Sequence, residues 1–361
     1  MPADPRKDKT LLAALSQVAP GTSLRAGIDD IIRSHSGALV VVGEPTDLAF
    51  LFSGGMRLDL QLTGQLLYEL AKMDGAIIVN TDLTRLVYAN VQLMPDPTIA
   101  SSETGTRHRT AERVAKQTGT LVLSVSQQRE TVTLFIGDLR YQLGEIPQIL
   151  AKTNQALATL ETYRTRLDQG LTRLTALEFQ SAVMLDDVLV VLQRAEMTTR
   201  MADEIERNRV ELGEEGRLIE MQLIELMESV PREKAAVAYD YELSGDPARA
   251  SAALDALAQL PQERLLEPEE MAVLLGYPRE ANALDYTVAP RGFRVLAQIP
   301  RLPETVVRQV VRDFASLDSV VRASQRDLEA VEGVGAVRAR EIREGLRRLQ
   351  EHNLVDRYLQ M

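Results

Sequence analysis

From residue 148 to residue 230 almost nothing in the chain would stop a helix. Gly170, Gly213 and Gly216 are the breakers, while Leu, Ile, Val and Met recur at three- and four-residue spacing. Ile149, Leu150, Leu157, Leu160, Leu167, Leu171, Leu174 and Leu177 fall on one helical stripe. The pattern predicts long helices, arranged as an elongated bundle or stalk, and so sets an N-terminal region apart from a C-terminal one. A Met-bearing stripe such as Met221, Ile224 and Met227 reads as core. From Pro231 to Pro290 shorter helices are expected between breaks at Pro247, Pro261, Pro268 and Pro278, forming a spacer and assembly scaffold. With 361 residues, two or three domains are the natural expectation. The boundaries are drawn at 1–147, 148–290 and 291–361.

Ahead of the helical run the pattern mixes both element types. Leu11–Val18, Leu24–Ser34 and Thr63–Met73 read as helices. Ala38–Val42, Ala76–Asn80 and Leu86–Met94 read as strands. Thr106–Thr118 reads as a helix closed by Gly119, and Thr120–Ser126 and Thr131–Ile136 as two β-rich runs about a polar turn. The result is an α/β or α+β domain with a mostly buried sheet.

Composition removes several chemistries. The chain has no Cys, which excludes thiolate nucleophiles, thiolate zinc sites and disulfides. His35, His108 and His352 are its three histidines, too few for a histidine metal cage, and no Trp is present for an aromatic base-stacking surface. Neither GxxxxGK[ST] nor GxGxxG occurs. No apolar run approaches the roughly 20 residues of a membrane span, and Met1–Lys9 is polar rather than signal-like, so a soluble cytoplasmic protein without membrane partners is expected.

Two short segments carry chemistry. Thr104-Gly105-Thr106-Arg107-His108-Arg109-Thr110 places backbone N–H groups, hydroxyls, guanidiniums and an imidazole at a helix start, where an anion is best received. Asp74-Gly75-Ala76 opens a strand with a carboxylate beside a glycine, as a metal ion or a closely approaching ligand would require. The plainer readings are a turn aspartate, and an exposed helix start with Thr106 as its cap and Arg109 paired to Glu112 or Glu103.

Residues 291–361 hold 13 Arg, no Lys and 10 acids, a net +3 in a chain of net −11. Within them Leu328-x-x-Val331-x-Gly333-Val334-Gly335-x-x-x-Ala339-x-x-Ile342 matches the helix–hairpin–helix pattern, in which glycines allow a hairpin whose N–H groups face a DNA phosphate. Gly333, Val334, Gly335, Arg338 and Arg340 are the candidate DNA contacts, with Arg343, Arg347 and Arg348 adding salt-sensitive attraction. An upstream copy, Leu296-x-x-Ile299-Pro300-Arg301-Leu302-Pro303, has Arg301 and Pro303 in the glycine positions. It is expected to pack as a structural half and not to grip phosphate.

Asp74-Gly75-Ala76, Gly105-Thr106-Arg107-His108-Arg109 and the terminal hairpin motif behind a long helical linker together resemble the DNA integrity scanning family of bacterial diadenylate cyclases, nearly end to end. The resemblance implies a multidomain α/β plus all-α protein: a cyclase domain with a central mixed sheet, an elongated helical linker, and a tandem helix–hairpin–helix domain. It implies condensation of two ATP to cyclic di-AMP with release of two pyrophosphates, at facing sites of two protomers in a homo-octamer. Asp74 would position Mg²⁺ or Mn²⁺ and the attacking 3′-hydroxyl. Gly75 and Ala76 would admit the nucleotide, and Leu93 would line the adenine pocket. Thr106, Arg107, His108 and Thr110 would hold the triphosphate, with Arg109 bracing the loop or a neighbouring protomer's ligand. Ser126 and Arg129 would touch phosphate. Branched DNA or recombination intermediates would be the second partner, giving nucleoid association. The alternative is a non-catalytic DNA-junction scaffold whose N-terminal domain senses nucleotide.

Overall fold

A computed structural model of the chain describes residues 5–280 and 282–359. The chain divides into two compact units. One is formed by the chain up to Gln155 together with Ile205–Met221, the other by Ala156–Glu204 together with the chain from Gln222 onward.

The first unit is built on one mixed sheet. Its strands are β1 (Ala38–Val42), β2 (Phe52–Ser53), β3 (Met56–Gln61), β4 (Ala76–Val79), β5 (Arg85–Leu93), β6 (Leu121–Val125), β7 (Val132–Ile136) and β8 (Leu139–Gln142). They lie in the order β2-β5-β4-β1-β6-β7-β8, with β3 also on β5. β1 and β4 run parallel, and the other pairs are antiparallel. The helices are α1 (Pro5–Gln17), α2 (Ser23–Arg33), α3 (Pro45–Leu48), α4 (Gly64–Ala71) and α5 (Thr106–Thr118).

The central strands are apolar on both faces because both faces are covered. Val40, Val42, Ile77, Val79, Leu121, Leu123 and Val125 join the core formed with α1, α2 and α4. Their alternates Leu39, Val41, Ala76, Ile78 and Val122 meet Ala111, Val114 and Ala115 of α5. Thr22 and Thr63 cap α2 and α4 by accepting the N–H groups of Arg25 and Leu66, and Gly119 closes α5 at φ +74°. The short strands β2, β3 and β8 escape the sequence reading. β3 is mostly exposed and rich in polar residues, so it carries no apolar alternation.

The second unit is helical. α6 (Ile146–Phe179) and α7 (Leu185–Leu212) are the long helices, followed by α8 (Arg217–Met227), α9 (Val230–Tyr241), α10 (Pro247–Gln259), α11 (Gln262–Leu265) and α12 (Pro268–Leu274). Leu167, Leu171, Leu174, Val188, Leu189 and Leu192 share a core with Val237, Tyr241, Leu257 and Met271. The break between α6 and α7 occurs at Ser181, left-handed at φ +53°, where neither Gly nor Pro signals it. Gly170 stays inside α6, with the Arg194 side chain resting on it. The division between the units falls within α6, past Pro147. The α8 stripe departs from expectation: Met221 is 58% and Ile224 64% exposed, so they are surface and not core. Helical spacing identifies a face but not whether anything covers it.

At the end of the chain lie α13 (Phe293–Leu296), α14 (Glu304–Phe314), α15 (Leu317–Arg322), α16 (Gln325–Glu329) and α17 (Ala336–Leu359). Two helix–turn–helix units repeat here at one constant step. α13 begins at Phe293 and α16 at Gln325, α14 at Glu304 and α17 at Ala336, each 32 residues apart. The buried clamp repeats with them, Leu296, Ile299, Val307 and Val310 standing for Leu328, Val331, Ala339 and Ile342.

Candidate functional site

The sheet register assembles the site. β1 pairs β4 with Leu39 opposite Ala76, so two residues earlier Gly37 lies level with Asp74. β1 pairs β6 with Ala38 opposite Val125, which brings Ser126 level with Gly37, and the Ser126 N–H continues the ladder to the Thr131 carbonyl at 2.9 Å. β4 meets β5 with Ala76 opposite Val91, so Leu93, which pairs with Phe52 of β2, lies at the same end of the sheet as Asp74. Leu93, Asp74, Gly37 and Ser126 thus lie at the same end of four neighbouring strands.

The start of α5 comes down on this edge. Its N-cap is Gly105, no side chain caps it, and the first helical bond runs from Arg109 N–H to the Gly105 carbonyl at 2.9 Å. The N–H groups of Thr106, Arg107 and His108 therefore have no intrahelical acceptor, and the helix dipole favours an anion there. Arg107 reaches the sheet: a methyl group on Gly37 would collide with its guanidinium. Gly37 makes room for the Arg107 side chain, a role that sequence reasoning, treating it only as a strand boundary, does not see. The signal was its place immediately before an all-buried strand, which cannot be interpreted without knowing what lies above it.

His108 is half-buried, and its pKa is held below the ordinary imidazole value. Burial is the largest cause; the Glu103 carboxylate opposes it, and the guanidiniums of Arg107, Arg129 and Arg140 add to it. A neutral imidazole among three guanidiniums marks a place short of negative charge. Arg129 is on the exposed β6–β7 turn, where its N–H donates to Ser126 Oγ at 3.3 Å.

A strap of residues 99–104 fastens to the outer side of α5. Ser101 Oγ and Ser102 N–H donate to the buried Glu112 at 2.5 and 3.0 Å, and Lys116 pairs with it at 2.8 Å. Arg113 donates to the Ile99 carbonyl at 2.9 Å. Arg109 donates to the carbonyls of Glu103 and Thr104 at 3.5 and 3.3 Å, and Glu103 pairs with Arg140 at 2.6 Å. The plainer reading of this helix start does not hold: Gly105 and not Thr106 is the cap, Glu103 is paired to Arg140, and Glu112 to Lys116.

Gly75 has φ +102°, and a Cβ there would lie 2.9 Å from the Asn90 carbonyl carbon and 3.0 Å from Val91 N. The glycine is thus required by the neighbouring strand, independently of any ligand. Ala76 is fully buried and Leu93 nearly so, both in the core on the α5 side, while Thr110 is half-buried. Asp74 is exposed and has no hydrogen-bond or ion-pair partner among the described residues. No group of three metal-ligating side chains occurs among the described residues. The donor set fits an ion such as Mg²⁺, which takes one or two carboxylates and completes its shell with water and substrate phosphates.

In the C-terminal repeat, Gly333 is left-handed at φ +82°. Val334 is buried, and its N–H donates to the Val331 carbonyl at 3.1 Å, so it clamps the hairpin and offers no contact outward. Arg338 folds back to donate to the Gly333 carbonyl at 2.6 Å. Gly335 and Arg340 are exposed.

Residues 25–139 match the family model described as the DisA bacterial checkpoint controller nucleotide-binding region, and residues 143–284 match its linker region. The chain is 48% identical over 345 residues to the DNA integrity scanning protein DisA of Carboxydothermus hydrogenoformans, covering 96% of this chain and 98% of that one. It is 45% identical over 353 residues to the DisA of Acetivibrio thermocellus, covering 98% of each chain. To that of Bacillus subtilis it is 46% identical over 351 residues, covering 97% of this chain and 96% of that one. The mixed-sheet domain, the helical region behind it and the near full-length matches agree: this chain belongs to the DNA integrity scanning protein DisA family.

Proposed function

We propose that the N-terminal domain condenses two ATP molecules into cyclic di-AMP with release of two pyrophosphates. The observation that carries this reading is the alignment of Leu93, Asp74, Gly37 and Ser126 along one sheet edge beneath the uncapped start of α5. A triphosphate would lie along the α5 N–H groups with Arg107, His108, Thr106 and Thr110. Ser126 and Arg129 would close on it from the β6–β7 turn, while Arg109 keeps the strap in place. Leu93 and Ala76 would form the wall behind the adenine. Asp74 would hold the ribose 3′-hydroxyl in line with the α-phosphate of the opposing nucleotide. Bound through Asp74 and the phosphates, Mg²⁺ or Mn²⁺ would supply charge neutralisation at the leaving pyrophosphate. The catalytic power is then mainly positioning and electrostatics.

One such edge binds one ATP, whereas the reaction joins two. Two protomers must therefore present their sites face to face, and an octamer of two facing rings is the assembly proposed. The two repeats at the end of the chain are read as a tandem helix–hairpin–helix domain that binds the backbone of branched DNA and couples this binding to synthesis. The names of the relatives, with their scanning of DNA integrity, support that reading. No described helix is long and apolar enough to cross a membrane.

The test is product analysis. Purified chain with ATP and Mg²⁺ is expected to yield cyclic di-AMP, and Asp74→Asn to abolish it with the assembly intact. ATP binding without product would favour the nucleotide-sensing scaffold instead. Full-rate synthesis by a strict monomer would overturn the facing-site arrangement.

A further inference from the structure

The two C-terminal repeats share a backbone but differ in what they expose at the hairpin tip. The 32-residue step superposes Arg301 on Gly333 and Pro303 on Gly335. The conformations agree: Arg301 has φ +65° against +82° for Gly333, and Pro303 precedes α14 as Gly335 precedes α17. The hydrogen bonds agree too. Leu302 N–H donates to the Ile299 carbonyl as Val334 does to Val331, and Val307 to Pro303 as Ala339 does to Gly335. The first hairpin is therefore fully formed, in keeping with its expected packing as a structural half.

Its chemistry is altered in two ways. Pro303 has no N–H, so the donor that Gly335 can turn outward is missing. In compensation an arginine occupies the left-handed position, which strains an L-residue and which the glycine at the matching position adopts freely. Arg301 is exposed and has no ion pair or hydrogen bond among the described residues. Of the other cations on this repeat, Arg308 and Arg294 are engaged, while Arg312 is exposed on α14 without a partner among the described residues. Arg308 is paired to Glu304 at 2.6 Å and lies over the rings of Tyr239 and Phe293, and Arg294 is buried against Glu178. At the position matching Arg308, the second repeat has the exposed Arg340, without a partner among the described residues. At these two matched positions each repeat thus has one guanidinium without a partner among the described residues: Arg301 at the tip of the first, Arg340 behind the bare tip of the second.

We infer that Arg301 is a nucleic-acid backbone contact, through which the first hairpin grips a phosphate with a side chain where the second hairpin uses main-chain N–H groups. The inference rests on the DNA-binding reading of this domain and deepens it. A guanidinium fits a phosphodiester oxygen pair through two parallel N–H donors and reads no base, so the contact adds affinity without sequence preference. Gripping by two unlike hairpins also gives the domain a polarity on the DNA that two identical ones would lack.

The substitution Arg301→Gly separates binding from folding, because glycine relieves the strained position. With the full chain and a fluorescent four-way DNA junction, Arg301→Gly is expected to raise or preserve the melting temperature while weakening binding by roughly fivefold or more. It should also make the slope of log affinity against log salt shallower by about one. Arg301→Lys, which keeps the charge, is expected to recover most of the affinity. If the unaltered chain binds the junction and Arg301→Gly binds it equally at every salt concentration, the inference fails while the DNA reading stands. A chain that does not bind the junction at all overturns both.

Discussion

Asp240 accepts the backbone N–H of Arg294 at 2.8 Å with one carboxylate oxygen and that of Phe293 at 2.8 Å with the other, in a fully buried site. It thereby caps α13, the first turn of the two-repeat segment, from the last turn of α9. The Arg294 side chain turns to Glu178 and Thr175 on α6, and Glu178 also accepts the Tyr241 hydroxyl at 2.7 Å. The guanidinium thus pairs with Glu178, while the buried Asp240 is held by main-chain N–H groups and feels the Arg294 charge without bonding to it. Burial raises the Asp240 pKa to about 7, and Glu178 adds to the rise against the two N–H donors and Arg294. An acid whose folded pKa exceeds its unfolded value stabilises the fold fully below the unfolded pKa, and that contribution is lost as pH rises to the folded one. The melting temperature of this unit is expected to carry a downward component between pH 4 and pH 7 that levels off above. Asp240→Asn should remove that component and cost about 1–3 kcal/mol, because a buried amide donor then faces a backbone donor. Thermal scans against pH check both.

The same cluster allows a double-substitution test. Glu178→Ala leaves the Arg294 charge buried and without its main partner, a loss of about 3–5 kcal/mol. Replacing both, Glu178→Leu with Arg294→Met, is expected to recover a large part of it, read as the denaturant midpoint. A double variant as weak as the single one would show that Thr175 and Tyr241 depend on the ion pair for their own geometry.

Gly37→Ala tests the sheet edge. The added methyl meets chiefly the far end of the flexible Arg107 side chain and, at 3.2 Å, the Val125 carbonyl, so the fold should persist with Arg107 displaced and a slight shift of the strand. Loss of a charge-assisted phosphate contact is worth about 1.5–3 kcal/mol, or roughly ten- to hundredfold in affinity. Calorimetry with a non-hydrolysable ATP analogue is expected to show that loss with at most a small fall in melting temperature.

His108 should report ligand charge. Its depressed pKa means that the folded domain resists protonation, so the contribution from this group is complete above the unfolded value of 6.5 and declines as pH falls. A triphosphate seated on α5 offsets the guanidiniums of Arg107, Arg129 and Arg140, raising the pKa and drawing in a proton. Titration of the imidazole resonances with and without the ATP analogue is expected to show an upward shift on binding, absent in Arg107→Ala.

The motif segments were legible because each is continuous: a glycine before α5, a carboxylate before β4, glycines at the second hairpin. The strands β1, β4 and β6 were legible from unbroken apolar runs. What escaped was determined by partners distant in sequence. Gly37 matters through Arg107, and Gly75 through Asn90 and Val91. The Ser181 break is made by a residue with no special backbone preference, and the stripe at Met221 and Ile224 shows the right period on an uncovered face. Arg301 reads as a lapse from the glycine pattern, yet its backbone keeps to that pattern.

The main-chain seam at Gly75 also bears on how this fold tolerates change. Asn90 is left-handed at φ +54° directly against the left-handed Gly75, and the β4–β5 register shifts just beyond them. The aim of the Asp74 carboxylate is therefore written into two backbones and owes little to the apolar side chains beneath. Variants that reshuffle the interior should drift far in composition and keep the carboxylate on target, whereas deletion of one residue at Asn90 would swing it away.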